Sequence, residues 1–179
     1  LNLGIGGAVQ TGYRWARQNG YEVAAQIDAD GQHDPSFLSQ GLLPIAAGEA
    51  DVVIGSRYLR REGFQSSRLR RAGSRYLSWF LRLRCGARVT DPTSGFRVAG
   101  SRAIASFALD YPSDYPEPEA IALARRRGLS VREVPVRMRS RGHGESTIGI
   151  GRTLYYLVKV SLALLLLPSE RRADPEIAP

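Results

Sequence analysis

The stretch Ala25-Gln26-Ile27-Asp28-Ala29-Asp30-Gly31-Gln32-His33-Asp34-Pro35 constrains the fold more than any other part of the chain. An apolar run beginning near Tyr21 leads into two carboxylates at i and i+2, then a glycine, then an Asp-Pro pair. Asp followed by Pro is a helix N-cap with proline in the first turn. In an extended segment residues i and i+2 project to the same side. Asp28 and Asp30 are therefore expected together at the C-terminal end of a buried strand, the edge at which open α/β sheets bind ligands. Two carboxylates at one spot repel unless a cation or a proton lies between them. The pattern predicts a divalent metal there, holding a phosphorylated substrate.

The neighbouring segments predict what surrounds that edge. Tyr21 to Asp28 reads as a strand, and Asp34-Pro35 opens a helix to about Ala47, with Phe37, Leu38, Leu42 and Ile45 inward and Gly48 closing it. Asp51 to Ser56 is a second, apolar strand of the buried parallel type. Strand, helix and strand form a βαβ unit, which puts Ser56 and Arg57 after the neighbouring parallel strand. Upstream, Asn2 to Gly7 is dense in glycine, and a helix is expected from Ala8 to Asn19. Two readings of the glycines stand: a tight turn, or a cradle in which Gly6 lets a donor phosphate approach backbone N–H groups. Their spacing matches neither the dinucleotide fingerprint nor a P-loop.

At 179 residues the chain suits one domain with a full core. The net charge of +8 comes almost wholly from arginine, because Lys159 is the only lysine. Arginine's planar fork matches phosphate and carboxylate, so the bias points to anionic partners or to base composition. The single Cys85 excludes an internal disulfide and fits a reducing compartment. The segment from Arg57 to Arg84 is rich in arginine. Ser67 to about Cys85 within it predicts a helix with Leu69, Ala72, Tyr76, Leu77, Phe80 and Leu83 as its apolar stripe. Most of these arginines read as a solvated face. Arg57, Arg70, Arg71 and Ser74 differ by lying close to the sheet edge that carries the aspartates. No aromatic-interleaved platform accompanies the basic segment, so nucleic acid is not an expected partner.

Val89 to Arg97 predicts a turn whose Asp91 is either structural or turned to the metal site. A short helix is expected from Ser101 to Phe107, another from the acidic turn at Asp114–Glu119 to Arg127, and a strand from Leu129 to Met138 with Glu133 at its middle. Arg137 to Ser146 is a basic loop punctuated by glycine and suited to fold over an anion. His33 and His143 lack metal-ligand spacing and are expected at the surface. The domain is expected over residues 1–148. A long apolar helix is expected over 149–167, and its unbroken apolar run after Lys159 is too short to span a bilayer. It reads either as an interfacial helix anchored by Tyr155, Tyr156 and Lys159, or as a packed core or oligomer helix. Residues 168–179 read as a charged, disordered tail.

Six segments in order, Asn2–Ala8, Asp28–Pro35, Val53–Arg57, Asp91–Arg97, Glu133–Val136 and Arg141–Ser146, resemble family 2 glycosyltransferases. Within that family the chain is similar to the dolichyl-phosphate mannosyltransferase and polyprenyl-phosphate glycosyltransferase branch. The resemblance implies a GT-A, Rossmann-like α/β fold with a mostly parallel sheet between helices, and inverting transfer from a nucleotide-diphosphate sugar to a polyprenyl phosphate. It implies Mg²⁺ or Mn²⁺ on Asp28, Asp30 and Gln32, and acceptor-phosphate contacts at Arg57, Arg70 or Arg71, and Ser74. Asp91 is implied as active-site base or organiser, with Asp30 beside it, and Arg141 and Ser146 as a loop closing over the donor diphosphate. The expected location is the cytoplasmic face of a membrane, with peripheral contact. The family normally opens with a strand and a Pro-x-x-Asn-Glu turn that hold the base. Residue 1 lies past that point, so the first βα unit is expected to be missing. A transferase acting on a soluble acceptor, or an inactive fragment serving as a binding module, are the alternatives.

Overall fold

A computed structural model describes residues 2–60, 62–63, 67–139 and 150–167. Helix α1 (Gly4–Gln18) leads to strand β1 (Val23–Gln26). A turn of 3-10 helix at Pro35–Phe37 continues into α2 (Leu38–Ala46), and β2 (Val52–Ser56) follows. Then come α3 (Arg68–Cys85), β3 (Arg97–Gly100), α4 (Ser101–Leu109), α5 (Pro116–Arg126), β4 (Val131–Pro135) and α6 (Ile150–Leu166). The N-cap anticipated at Asp34 is present, accepting a hydrogen bond from the Ser36 N–H. At α3, Ser67 accepts one from the Arg70 N–H, and Gly86 ends the helix with φ +67°.

The four strands lie in the order β1-β3-β2-β4. β1, β2 and β4 run one way, and β3 runs against both of its neighbours. The predicted βαβ unit therefore exists in direction but not in adjacency. α2 carries the chain past one strand position, and β3, from a segment read as loop, fills the vacated slot in reverse. Side chains alternate across the sheet. Val52, Ile54 and Ala99 face a core built with α1, α3, α4, α5 and α6, while Val53 and Val98 face a smaller one under α2.

Two helix faces differ from expectation. Along α2, Phe37, Leu38 and Ile45 pack against the smaller core as expected, but Leu42 is exposed and Gly41 is buried against Val98 and Phe96. On α3 the buried residues are Gly73, Ser74, Leu77, Phe80 and Leu81, leaving Leu69, Tyr76 and Leu83 of the predicted stripe outside. In both, small residues share the inner face with larger apolar ones and let the helix approach closely, so part of the predicted stripe turns outward.

The glycine run at the N-terminus is helical, not a turn. Asn2 Oδ1 accepts from the Gly4 N–H at 3.0 Å, and α1 starts there, four residues earlier than expected. Gly6 is buried, and its N–H donates to the Ser113 carbonyl at 3.1 Å. A Cβ at Gly6 would run into the Pro112 carbonyl oxygen. Gly6 is thus committed to packing, and its amide has no capacity left for a donor phosphate.

Gly6→Ala is expected to cost about 1–3 kcal/mol of stability, because backbone on the facing segment must move. Gly12, on the same helix with open space at its Cβ position, is expected to gain about 0.5–1 kcal/mol on replacement by alanine. Urea unfolding midpoints should therefore shift in opposite directions. Equal shifts would contradict the packing role of Gly6.

Candidate functional site

A cavity of about 580 Å³ lies where the loop after β1 meets α3, α6 and the turn before β3. Asp28, Asp30, Gln32 and His33 line it from the loop, Arg57 and Tyr58 from the end of β2, and Thr93, Ser94 and Gly95 from the turn. α3 contributes Arg70, Gly73, Ser74 and Leu77, while Tyr115 and Glu117 come from the start of α5. The apolar helix α6 adds Thr153, Tyr155, Tyr156 and Leu157. Of the residues expected together at this sheet edge, Asp28, Asp30, Arg57, Arg70 and Ser74 line the one cavity, and Arg71 does not.

The acidic loop is locally braced. Asp30 Oδ1 accepts from the Gln32 N–H at 3.1 Å, an Asx turn. The Arg139 N–H donates to the Gln32 carbonyl at 2.9 Å, and Gln32 Nε2 donates to the Arg139 carbonyl at 3.3 Å. The Asp28 carboxylate sits against Gly95 in space that a Cβ would fill. Glycine in that turn is therefore required for Asp28 to hold its position. Asp28, Asp30 and Gln32 bring two carboxylates and an amide to this loop, hard oxygen ligands of the kind Mg²⁺ and Mn²⁺ prefer. Among the described residues no three His, Cys, Asp or Glu side chains converge on one point. A cation here would complete its shell with water and substrate phosphate, the usual manner for Mg²⁺, so the residues fit such an ion.

His33 departs from expectation. It is 6% exposed, lies beside Phe96 and places Nε2 3.9 Å from Asp28 Oδ2. A bridge between His33 and Met138 draws the ring inward. Neither ring nitrogen has a hydrogen-bond partner among the described residues. Burial pushes its pKa below the ordinary histidine value, against the pull of Asp28. A histidine between two acidic motifs gave no sequence signal of burial.

Behind the cavity wall lies a buried ion pair. Arg57 donates from Nε to Asp91 Oδ2 at 2.5 Å and from Nη2 to Oδ1 at 2.6 Å, a bidentate contact. Asp91 is closed to solvent, accepts also from the Arg57 N–H at 3.2 Å, and takes a bond from the Thr93 hydroxyl at 3.3 Å. Burial alone would lower the Arg57 pKa. The Asp91 hydrogen bonds and charge outweigh it, and the net direction is upward. Asp91 does not line the cavity; Arg57 stands between. Glu133 on β4 accepts from the Thr90 N–H at 2.8 Å, the Thr90 hydroxyl at 2.9 Å and the Asp91 N–H at 2.8 Å. Burial pushes its carboxyl up, partly offset by those donors. A lone acid in the middle of an apolar strand was the available signal for this role.

The remaining predicted residues separate. Arg70 and Ser74 face the cavity, and the Ser74 hydroxyl reaches the Thr90 carbonyl at 3.5 Å. Arg71 lines a different cavity on another side of α3. Consecutive helix residues diverge by about 100°, so only one of the pair can face this site. Arg141 and Ser146, with His143 and the predicted tail, lie outside the described residues. Sequence reading missed Arg97, buried and donating to the carbonyls of Ser94, Pro92 and Glu117. It also missed Glu117, whose carboxyl is raised by burial against the opposing charge of Arg97. Lys159 is held by Asp114 at 2.5 Å, and Tyr156 packs edge-on to Tyr115, so of the three proposed anchors Tyr155 is the exposed one.

Asp91→Ala strands the Arg57 guanidinium in the interior and is expected to cost about 3–5 kcal/mol. Adding Arg57→Met should recover part of that loss. Denaturant unfolding of both single variants, the double variant and the parent reads the coupling. Additive losses would show that the pair contributes no mutual stabilisation.

The model of the family described as Glycosyl transferase family 2 matches residues 1–110. An undecaprenyl-phosphate mannosyltransferase of Micrococcus luteus is 34% identical over 158 residues, covering 83% of this chain and 62% of that protein. A UDP-N-acetylglucosamine–dolichyl-phosphate N-acetylglucosaminyltransferase of Methanococcus voltae is 32% identical over 139 residues, covering 76% and 55%. The polyprenol monophosphomannose synthase of Mycolicibacterium smegmatis is 32% identical over 147 residues, covering 80% and 55%. The chain thus spans 55–62% of the length of these relatives. With an open α/β sheet between helices and an acidic loop at its edge, consistent with the GT-A arrangement, the chain belongs to glycosyltransferase family 2.

Proposed function

We propose that this chain carries the catalytic site of an inverting glycosyltransferase that moves a sugar from a nucleotide-diphosphate donor to a polyprenyl phosphate. The observation that carries the choice of a lipid acceptor is the origin of the cavity wall. Arg70, Ser74, Tyr155 and Leu157 come from the two helices that expose apolar stripes, Trp79 and Leu83 on α3, Leu162 and Leu166 on α6. α3 and α6 are also joined directly, Tyr76 to Ser161 at 2.9 Å and Gly73 against Leu157. Their shared apolar face suits a membrane interface, with Trp79 and Tyr155 as aromatic anchors. No helix among the described residues is long and apolar enough to cross a membrane. The names of the relatives, with dolichyl, undecaprenyl and polyprenol phosphate acceptors or products, support the same reading.

In this reading Asp28, Asp30 and Gln32 would hold Mg²⁺ or Mn²⁺, which when bound neutralises the negative charge that develops on the departing diphosphate. Arg70 and Ser74 hold the acceptor phosphate near the anomeric carbon. An acceptor oxygen forms the new bond to that carbon as the bond to the diphosphate oxygen breaks, from the opposite side. The acceptor is an anion near neutral pH, so no proton needs removal and a general base is dispensable. This agrees with Asp91, whose two oxygens are already occupied by Arg57. Asp91 is a positioning residue that fixes Arg57 at the wall. The contribution of the site is orientation and electrostatics. Its expected location is the cytoplasmic face of a membrane.

The test supplies radiolabelled sugar nucleotides with a polyprenyl phosphate in one arm and soluble hydroxyl acceptors in the other, using the chain within its whole protein. Transfer to the lipid alone is expected, with Asp28→Ala and Asp30→Ala each losing at least about 100-fold, the usual scale for a transition-state charge stabiliser. Undiminished transfer by both variants would remove the metal role, and transfer to soluble acceptors alone would remove the lipid.

A further inference from the structure

Away from the acceptor side of α3 lies a second cavity of about 600 Å³. Its wall carries Arg68, Arg71, Arg75 and Ser78 from α3, with Tyr58 and Thr90 across from them. Residues at i, i+3 and i+7 share one helix face, so three guanidinium groups are brought side by side. Among the described residues none of the three makes an ion pair, whereas Arg57, Arg102, Arg127, Arg132 and Arg139 each meet a carboxylate. Three like charges on one cavity wall without a counter-charge repel one another, and an anion among them relieves that repulsion. Three planar forks with hydroxyls between them are the chemistry that binds a phosphate group.

The cavity is separate from the site that holds Arg70 and Ser74, sharing only Tyr58 with it. Around α3 the basic face borders the exposed apolar stripe: Trp79 lies one turn beyond Arg75, and Leu69 and Tyr76 each follow a member of the trio. A ligand that satisfies both surfaces carries a phosphate and an apolar body. We propose that the Arg68, Arg71 and Arg75 cavity binds the phosphate headgroup of an anionic phospholipid and so selects the membrane on which the chain sits. The inference rests on the membrane-facing part of the function above, but not on sugar transfer.

The test is flotation of the whole chain with vesicles of phosphatidylcholine alone and of phosphatidylcholine mixed with phosphatidylglycerol, at fixed ionic strength. Binding to the neutral vesicles reports the apolar face, and the increment from the anionic lipid reports the arginines. Arg71→Gln is expected to lower that increment about 5-fold, and the Arg68→Gln/Arg71→Gln/Arg75→Gln variant to abolish it, with neutral binding unchanged. Arg17→Gln, an exposed charge on α1, should leave it within about 2-fold, since that residue lies outside the apolar face. Circular dichroism confirms that the variants fold, and the single variant decides the matter if the triple one does not. An increment that survives the triple substitution, or that falls equally in Arg17→Gln, overturns the site. Equal binding to both vesicle types together with saturable binding of inorganic phosphate to the parent chain overturns the lipid assignment in favour of a free phosphate ligand.

Discussion

The buried pair of Arg57 and Asp91 is the contact on which the site depends. It ties the end of β2 to the turn before β3, and Glu133 ties that same turn to β4 through three hydrogen bonds. Neither charge could occupy the interior alone, because an unpaired ion there loses its hydration without replacement. Here every acceptor position facing Arg57 is used, and the turn that follows can present Thr93, Ser94 and Gly95 to the cavity. Gly95 in turn leaves the room in which the Asp28 carboxylate rests. One ion pair thus sets the position of the basic wall and, through four further residues, that of the acidic loop.

The charges of the cavity are sorted by element. Acidic groups come from the loop after β1 and, with Glu117, from the start of α5, and basic groups from the end of β2 and from α3. Both reactants in the proposed transfer are anionic, and the sorting keeps their handling apart: carboxylates for a cation-bound diphosphate, arginine and serine for the acceptor. Such a site accelerates by preorganised charge and placement, with little proton transfer to manage. The same helix that supplies Arg70 and Ser74 also supplies the outward apolar stripe. In the proposed transfer, recognition of the phosphate and contact with the surface holding its lipid tail would therefore be coupled through one rigid element.

Local chemistry made much of this legible beforehand. Asp34-Pro35 is a cap whose function depends only on neighbouring backbone, and it forms as read. β2, apolar at nearly every position, could only be a buried strand. The pairing of strands was not legible, because β3 is four residues long and its partners are set by where α2 carries the chain. Periodicity placed Phe37, Leu38 and Ile45 of the α2 segment and Leu77 and Phe80 of α3 correctly, and misplaced Leu42, Leu69, Tyr76 and Leu83. It ranks positions by hydrophobicity, whereas Gly41, Gly73 and Ser74 are inside because their smallness permits close approach. The outward placement of Leu69 and Leu83 follows from the same fact. Gly6 misled for a related reason: glycine ahead of a phosphate and glycine against a crossing backbone look alike in sequence. Adjacent arginines, Arg70 and Arg71, were separable only once the helix phase was known.

The described side chains alone gather too few ligands for a divalent ion, so the metal site proposed at Asp28 and Asp30 needs a diphosphate to complete it. Titration of Mn²⁺ into the chain, followed by the loss of its free-ion paramagnetic resonance signal, tests this directly when run with and without nucleoside diphosphates. Weak Mn²⁺ binding by the chain alone is expected, with markedly tighter one-to-one binding in the presence of a nucleoside diphosphate and loss of that enhancement in Asp30→Asn. Mn²⁺ binding that is indifferent to the diphosphate, or an enhancement that persists in Asp30→Asn, would contradict the proposed site.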